Sequence, residues 1–177
     1  FKDGRVTYTT ASTGEALGGY SAFGNTTEGN ELTLTGVTGT LTTAYGGQTA
    51  GAMGDSVNNK VTLKGTGAGS IANVYGGAVT KAANSGNATG NTVTLTGGKV
   101  TGAVYGGFAA GSGKTTGNTV NIGADPTTLH QGDASALAAG TNFAAAELYG
   151  GNKVDAADNT LNVTVKDVAA KKAQSFD

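Results

Sequence analysis

The sequence predicts an all-β fold, a parallel β-helix (β-solenoid) of about five rungs that carries one loop insertion. Three observations predict it. A Tyr-Gly-Gly motif recurs at spacings of 28, 30, 30 and 44 residues, which is the range of repeats that stack as a solenoid. Each repeat also holds a short segment of alternating apolar and polar residues, and an Asn precedes that segment. The motif copies begin at Leu17 (a degenerate Leu-Gly-Gly), Tyr45, Tyr75, Tyr105 and Tyr149.

The composition agrees with a repetitive β-structure and excludes several other classes. The 177 residues include 32 Gly, 1 Pro and no Cys or Trp, and 13% are charged. Glycine without a Gly-X-Y period excludes collagen, and the lack of Cys excludes disulfides and thiolate zinc sites. A net charge of −1 gives no basic surface for nucleic acid. No apolar run is long enough to span a membrane.

The chain divides into three parts. Residues 1–16 contain one alternating segment, Arg5–Thr10, which predicts an N-terminal strand or cap. Residues 17–165 form the solenoid repeats. Residues 166–177 are expected to be an exit strand or tail.

The first strand of each repeat places two aliphatic residues two positions apart, with Thr, Asn or Lys between them. This period of two predicts a half-buried strand with an apolar inner face and a polar outer face. Because Asn tolerates a left-handed backbone, a corner is expected at each preceding Asn, and stacked Asn side chains predict an amide ladder. The strands are Glu31–Gly36, Lys60–Gly65, Thr92–Gly97, Thr119–Gly123 and Thr160–Thr164; the Asn residues are Asn30, Asn59, Asn91, Asn118 and Asn159.

The second strand of each repeat leads into the glycine pair. Glycines here are expected to supply positive φ angles and to let neighbouring rungs approach closely. The polar stretches that follow, residues 48–57, 78–89 and 108–116, vary in length and predict protruding loops. The glycine pairs are Gly46–Gly47, Gly76–Gly77, Gly106–Gly107 and Gly150–Gly151.

The long last interval predicts an insertion of 14 residues, at about residues 125–147. It holds the only Pro, the only His and an Ala-rich run, Asp133–Ala139, that could form a short helix. This segment is the candidate binding loop. Its candidate residues are Pro126, His130, Asp133 and Phe143.

The repeat that runs from Tyr75-Gly76-Gly77 through Gly90-Asn91-Thr92-Val93-Thr94-Leu95 to Tyr105-Gly106-Gly107 resembles the repeats of bacterial autotransporter passenger domains. It is most similar to the glycine-rich passengers of anaerobic Gram-negative bacteria, and the closing stretch Asp158–Val163 is similar to their last repeats. The resemblance covers about residues 17–165. It implies a right-handed parallel β-helix at the cell surface, in an adhesin or structural stalk.

Other candidate chemistry has weaker support from the sequence. Gly111–Thr115 ends like a phosphate-binding loop, but Phe108 occupies the required Gly position and a strand follows instead of a helix. His130 has no positioned nucleophile, although Ser135 and Asp133 are near in sequence. Asp155 and Asp158 offer at most a weak cation site. Acidic residues are few on the strand faces, so we expect no enzymatic activity and no cofactor or metal.

Two outer surfaces have a second possible interpretation. The outward Thr residues could order water, but Lys64, Asn121 and Asn162 interrupt them, so a solvated strand face is the expectation. The repeated Tyr residues could form a sugar-stacking stripe, but packing as a ladder at a corner is the preferred prediction.

The expected function is therefore a non-enzymatic, surface-displayed passenger segment that serves as adhesin or stalk. Its partners would be a host-surface or matrix ligand, or other bacterial cells, and its location extracellular or at the bacterial surface. The alternative is a self-assembling extracellular fibre subunit that polymerises by end-to-end strand pairing. A carbohydrate-active β-helix enzyme is a third hypothesis, and it lacks a clustered acid pair.

Overall fold

Three parallel sheets wind around one core in the computed structural model, which describes residues 1–9, 11–64, 69–123, 143–152, 156–163 and 168–174. Sheets 1 and 3 have six strands each, and sheet 2 has four. This is the predicted all-β solenoid. Among the described strands, four turns contribute a strand to every sheet. One further strand of sheet 3 precedes these turns, and two strands of sheet 1 and one of sheet 3 follow them.

The strands follow one another through the three sheets in a fixed order. Sheet 3 contains β1 (Arg5–Tyr8), β4 (Glu31–Leu34), β7 (Lys60–Leu63), β10 (Thr92–Leu95), β13 (Thr119–Ile122) and β15 (Thr160–Val163). Sheet 1 contains β2 (Ala11–Ser21), β5 (Val37–Thr49), β8 (Ser70–Val79), β11 (Ala103–Ala109), β14 (Phe143–Gly151) and β16 (Val168–Gln174). Sheet 2 contains β3 (Thr27–Glu28), β6 (Ser56–Val57), β9 (Ala88–Thr89) and β12 (Thr115–Thr116).

Sheet 2 was not predicted. Its strands are two residues long and carry no aliphatic pair, so the alternation that marks the other strands is missing. Its inward residues Thr27, Ser56 and Thr115 are fully buried, and hydroxyl hydrogen bonds satisfy some of them. Thr27, for example, bonds to the Thr49 hydroxyl at 3.0 Å.

The core is built from columns of equivalent residues, because the described strands pair in parallel and, apart from two register shifts between β2 and β5, in register. In β4, β7, β10 and β13 of sheet 3 the two aliphatic positions of each strand point inward, as predicted. Sheet 1 faces them with a column of Ala or larger aliphatic residues. The fully buried members include Leu32, Leu34, Val61, Leu63, Val93, Leu95, Val120 and Ile122 from sheet 3, and Ala44, Val74, Val104 and Leu148 from sheet 1.

The outer face of sheet 3 is not uniformly exposed, which corrects one expectation. Thr33 and Thr62 are half-buried, but Thr94 is only 5% exposed and Asn121 only 4%. Asn121 also accepts a hydrogen bond of 2.8 Å from the Asn162 amide. The outer face is therefore covered over these turns, and Thr94 is not a solvated residue.

Each corner before a sheet 3 strand does contain a left-handed residue, but that residue is the one before the predicted Asn. Positive φ angles occur at Gly29, Asn58, Gly90, Gly117 and Asp158. The ladder Asn itself is buried and points its amide inward, so its side chain is used for bonding between turns and the residue before it makes the bend.

The boundaries of the predicted parts also differ. Strand β2 begins at Ala11, so residues 11–16 belong to the first turn and not to a separate cap. Strand β14 begins at Phe143, so the last residues assigned to the insertion, 143–147, are part of sheet 1. Strand β16 pairs with β14 as an exit strand.

Candidate functional site

The tyrosines of the repeat form a ladder on the outside of sheet 1. Successive ring centroids are 5.0, 5.2 and 4.8 Å apart, and the planes differ by 13°, 3° and 6°. Parallel pairing of β5, β8, β11 and β14 sets this spacing, because it places each Tyr directly opposite the next. The rings are, in order, Tyr45, Tyr75, Tyr105 and Tyr149.

The ladder does not offer ring faces to a ligand. Tyr75 and Tyr105 are stacked on both sides. Phe108, which the sequence pointed to only as a departure from the phosphate-binding pattern, lies edge-on to Tyr75 at 5.2 Å and to Tyr105 at 5.4 Å. A sugar ring would need a free aromatic face, so this geometry is that of a packed ladder.

Burial and mutual proximity make these tyrosines harder to ionise. Burial raises the pKa of Tyr75 to about 12, and the neighbouring Tyr45 and Tyr105 add to the shift. Burial likewise raises the pKa of Tyr45, which a hydrogen bond from Thr43 partly opposes. Burial and then Tyr149 raise the pKa of Tyr105.

The predicted amide ladder is present, and it joins the Asn residues that precede five successive strands of sheet 3. In each step the Nδ2 group of one Asn donates to the Oδ1 atom of the next, at distances of 2.8, 3.2, 3.0 and 2.9 Å. The backbone N–H of the same residue donates to the same oxygen, at 2.9–3.0 Å. The ladder residues Asn30, Asn59, Asn91, Asn118 and Asn159 are at most 3% exposed.

The glycine pairs make room for this ladder. A Cβ at Gly47 would come within 2.6 Å of the Asn59 amide nitrogen, and a Cβ at Gly46 within 2.8 Å of the Lys60 backbone. Neither glycine has a positive φ angle, so the prediction of a left-handed backbone at these positions is wrong. The expected close approach between neighbouring segments is confirmed.

The segments between sheets 1 and 2 stack on one another and do not protrude as separate loops. A Cβ at Gly24 would lie 2.9 Å from the Met53 carbonyl oxygen, and a Cβ at Gly86, Gly111 or Gly113 would lie still closer to a backbone carbonyl oxygen of the preceding turn. In the third turn the Asn84 amide donates to the Gly51 carbonyl at 3.0 Å. These segments are thus continuations of the solenoid wall.

The segment that ends like a phosphate-binding loop is one of these stacked corners. The Lys114 backbone N–H donates to Asn87 Oδ1 at 2.8 Å, and Thr115 is fully buried in strand β12. Strand β13 follows, so no helix N-terminus faces Gly111–Thr115. The segment has no phosphate-binding geometry.

The candidate binding loop is largely outside the described residues. Pro126, His130, Asp133 and Ser135 lie there, as does the possible helix Asp133–Ala139, and so does Asp155. Phe143 is the first residue of β14, where it pairs with Val168. Asp158 forms a left-handed corner. Across the described ranges no three His, Asp or Glu residues lie close enough together to hold a metal ion.

Four large apolar side chains are exposed among the described residues, and the sequence did not indicate them. Phe1, Tyr20, Phe23 and Met53 are 59%, 48%, 95% and 73% exposed. In sequence they are scattered among polar residues. Stacking of the segments around residues 20–25 and 50–55 brings the backbone around Phe23 close to that around Met53.

The fold and these ladders define the chain as a parallel β-solenoid. No family model, curated protein or solved structure matches it. Within the part of the chain that the structure describes, no helical segment has the length and apolarity needed to cross a membrane. The solenoid class is therefore the identification that the structure supports.

Proposed function

We propose that the chain is a non-enzymatic stalk segment of a bacterial cell-surface protein of the autotransporter passenger type. The observation that carries the proposal is the continuity of the ladders. Backbone pairing, the amide ladder and the tyrosine ladder join each turn to the next, so the molecule is a stiff column. Such a column suits the mechanical task of holding other groups away from a surface.

The stalk is favoured over a fibre subunit because pairing of further strands requires uncharged edges, and β1 and the residues before it carry ion pairs. In β1 and the bridge before it, Lys2 pairs with Glu28 at 3.4 Å and Arg5 with Glu31 at 3.6 Å. Charged side chains at an edge strand disfavour open-ended pairing with further strands. We also assign no catalytic step to the chain.

Surface display is tested by labelling intact source cells with an antibody against the folded chain. The proposal expects labelling without permeabilisation and loss of the label after brief external protease treatment. Labelling that requires permeabilised cells would contradict display. The antibody should be checked on cells from which the gene has been deleted.

Adhesion, the second part of the proposal, is assigned to residues 124–142 and to a host-surface or matrix ligand or other bacterial cells. The test replaces residues 123–146 by a copy of 96–102, the connection between β10 and β11, which keeps Glu147 opposite Ala103. We expect the melting temperature to stay within a few degrees and binding of chain-coated beads to cells or matrix to be lost. Unchanged binding would show that the insertion does not mediate adhesion, and only the stalk role would then remain.

A further inference from the structure

The last two rings of the tyrosine ladder are arranged as a pair that oxidation can join. Tyr105 and Tyr149 are register partners in β11 and β14, their ring centroids are 4.8 Å apart, and their planes differ by 6°. This is the shortest centroid distance in the ladder. Because the rings are nearly parallel and in register, the ortho carbons beside the two hydroxyl groups come close to one another. Those carbons carry much of the unpaired electron of a phenoxyl radical, and two such radicals couple there.

A carboxylate is in place to take the proton of one of these phenols. The Tyr149 hydroxyl donates to Glu147 Oε2 at 2.6 Å, which is the length of a charge-assisted hydrogen bond. The two residues are two positions apart in β14 and therefore lie on the same face of the strand. Glu147 is half-buried, so its carboxyl group can pass a proton on to water.

Removal of an electron from these rings requires such a proton acceptor. Burial, with Tyr149 and Glu147 as smaller causes, raises the pKa of Tyr105, and burial raises the pKa of Tyr75 to about 12. These phenols are therefore neutral at ordinary pH. An electron lost without the proton would leave a cation in a half-buried stack, which is unfavourable. Transfer of the proton from Tyr149 to Glu147 avoids that cation.

We propose that Tyr105 and Tyr149 form an oxidative cross-linking site, at which a one-electron oxidant such as a haem peroxidase with hydrogen peroxide converts the stacked pair to dityrosine. Each phenol loses one electron and one proton, and the proton of Tyr149 goes to Glu147. The two phenoxyl radicals form a carbon–carbon bond between ortho carbons, and the hydrogen on each of these carbons then moves to the oxygen and restores the phenol. Hydrogen peroxide takes up the two electrons and two protons and becomes two water molecules.

The position of this pair gives the bond a structural consequence. Tyr105 and Tyr149 are 44 residues apart, the longest interval in the ladder, so a bond between them covalently joins the turns before and after the insertion. A cross-link of this kind restricts the unfolded chain and should raise the melting temperature. It would thereby reinforce the column where the regular repeat is interrupted.

Mild oxidation of the full chain with peroxidase and hydrogen peroxide, at a concentration where chains seldom meet, tests the proposal. Tyr105 and Tyr149 fall in different tryptic peptides, 100–114 and 115–153, and each is the only tyrosine of its peptide. Mass spectrometry should find these two peptides joined with the loss of two hydrogen atoms. Tyr149→Phe keeps an aromatic ring in the stack and should abolish this product.

The two tyrosines outside the ladder are internal controls. Among the described residues neither Tyr8 nor Tyr20 is stacked on another aromatic ring, and Tyr20 is 48% exposed. An oxidant that selects only for exposure should link Tyr20 first. Coupling that depends on stacking should leave both of them unlinked.

A pair of variants tests the role of the carboxylate. Glu147→Gln should lower the yield of the 105–149 product at least about tenfold, because a positioned proton acceptor is lost. Glu31→Gln is the matched control, since that carboxylate lies in β4 beside Arg5, and it should react like wild type. Circular dichroism checks that both variants are folded.

Several results would overturn the proposal. They are the absence of a 105–149 product, linkage of Tyr8 or Tyr20 as readily as of the ladder tyrosines, linkage chiefly between chains, and an unchanged yield in Glu147→Gln. The stalk role does not depend on this result.

Discussion

At the scale of single residues, the side-chain amide of each ladder Asn connects neighbouring turns of the fold by hydrogen bonds. The Asn91 oxygen accepts from the N–H and Nδ2 groups of Asn59, at 2.9 and 3.2 Å. The Asn91 Nδ2 group donates to Asn118 Oδ1 at 3.0 Å and to the Ser56 carbonyl at 2.9 Å. One side chain thus satisfies buried polar groups in the turns on both sides.

Truncating this side chain should be costly. In Asn91→Ala the buried N–H of Asn59 loses its acceptor, and the Ser56 carbonyl and Asn118 Oδ1 each lose the donor that Asn91 supplied. A buried polar group left without a partner costs about 1–3 kcal/mol. We expect the free energy of unfolding in urea to fall by about 3 kcal/mol. Asn87→Ala is the control, since Asn87 is exposed, and it should cost less than about 1 kcal/mol. Equal losses in the two variants would contradict the role of the ladder.

The tyrosine ladder predicts a dependence of stability on alkaline pH. The pKa of Tyr75 is raised to about 12 in the folded chain, against about 10 when unfolded. The unfolded state therefore releases this proton first as the pH rises, and the free energy of unfolding should fall between pH 10 and pH 12. Below pH 10 this group contributes no pH dependence.

The measurement is urea unfolding at several pH values for wild type and Tyr75→Phe. The variant should lose less stability than wild type between pH 10 and pH 12, because it has one group fewer to titrate. If both proteins show the same decline across that interval, the raised pKa of Tyr75 does not contribute to it.

At the scale of elements, the two faces of a sheet 3 strand differ in what they tolerate. Leu95 is fully buried among the aliphatic columns, so Leu95→Asp places a charge in the apolar core and should unfold the chain. Thr62 lies half-buried on the outer face of β7, and Thr62→Asp should change the melting temperature by only a few degrees. Thermal unfolding followed by circular dichroism checks both, and equal shifts would contradict the facing of the strands.

Sequence periodicity predicted these faces because a strand that is buried on one side must alternate. It could not predict that Thr94 is covered, since a strand does not encode what packs on its outer face. Sheet 2 could not be predicted for a different reason, because strands of two residues are too short to show a period. The glycine pairs were recognised, but their physical reason is close packing and not backbone conformation: Gly46 lies against neighbouring backbone and Gly47 against the Asn59 side chain.

The candidate site also contains features that the sequence predicted and features that it could not predict. Stacking of Tyr75 on Tyr105 followed from equal repeat spacing, because in-register strands bring equivalent residues together. The corner formed by Phe23 and Met53 could not be predicted, since those residues share no motif and only the stacked segments bring them close.

At the scale of the whole molecule, each turn of the solenoid is a replaceable unit. Val74 and Val104 pair in register, as do Tyr75 and Tyr105, so the chain passes through equivalent positions 30 residues apart. In a solenoid, stability is the sum of the turns and of the interfaces between neighbours. Removing one complete turn should therefore leave two compatible surfaces that can stack directly.

The most direct test deletes residues 75–104, which joins Val74 to Tyr105 and brings Asn59 opposite Asn118. Circular dichroism with small-angle X-ray scattering should show a folded β-protein whose long dimension is shorter by about 4.8 Å, one strand spacing. Its unfolding should remain cooperative at a somewhat lower temperature. An unfolded or aggregated product would contradict the account, because it would mean that the turns are not equivalent units of one stacked column.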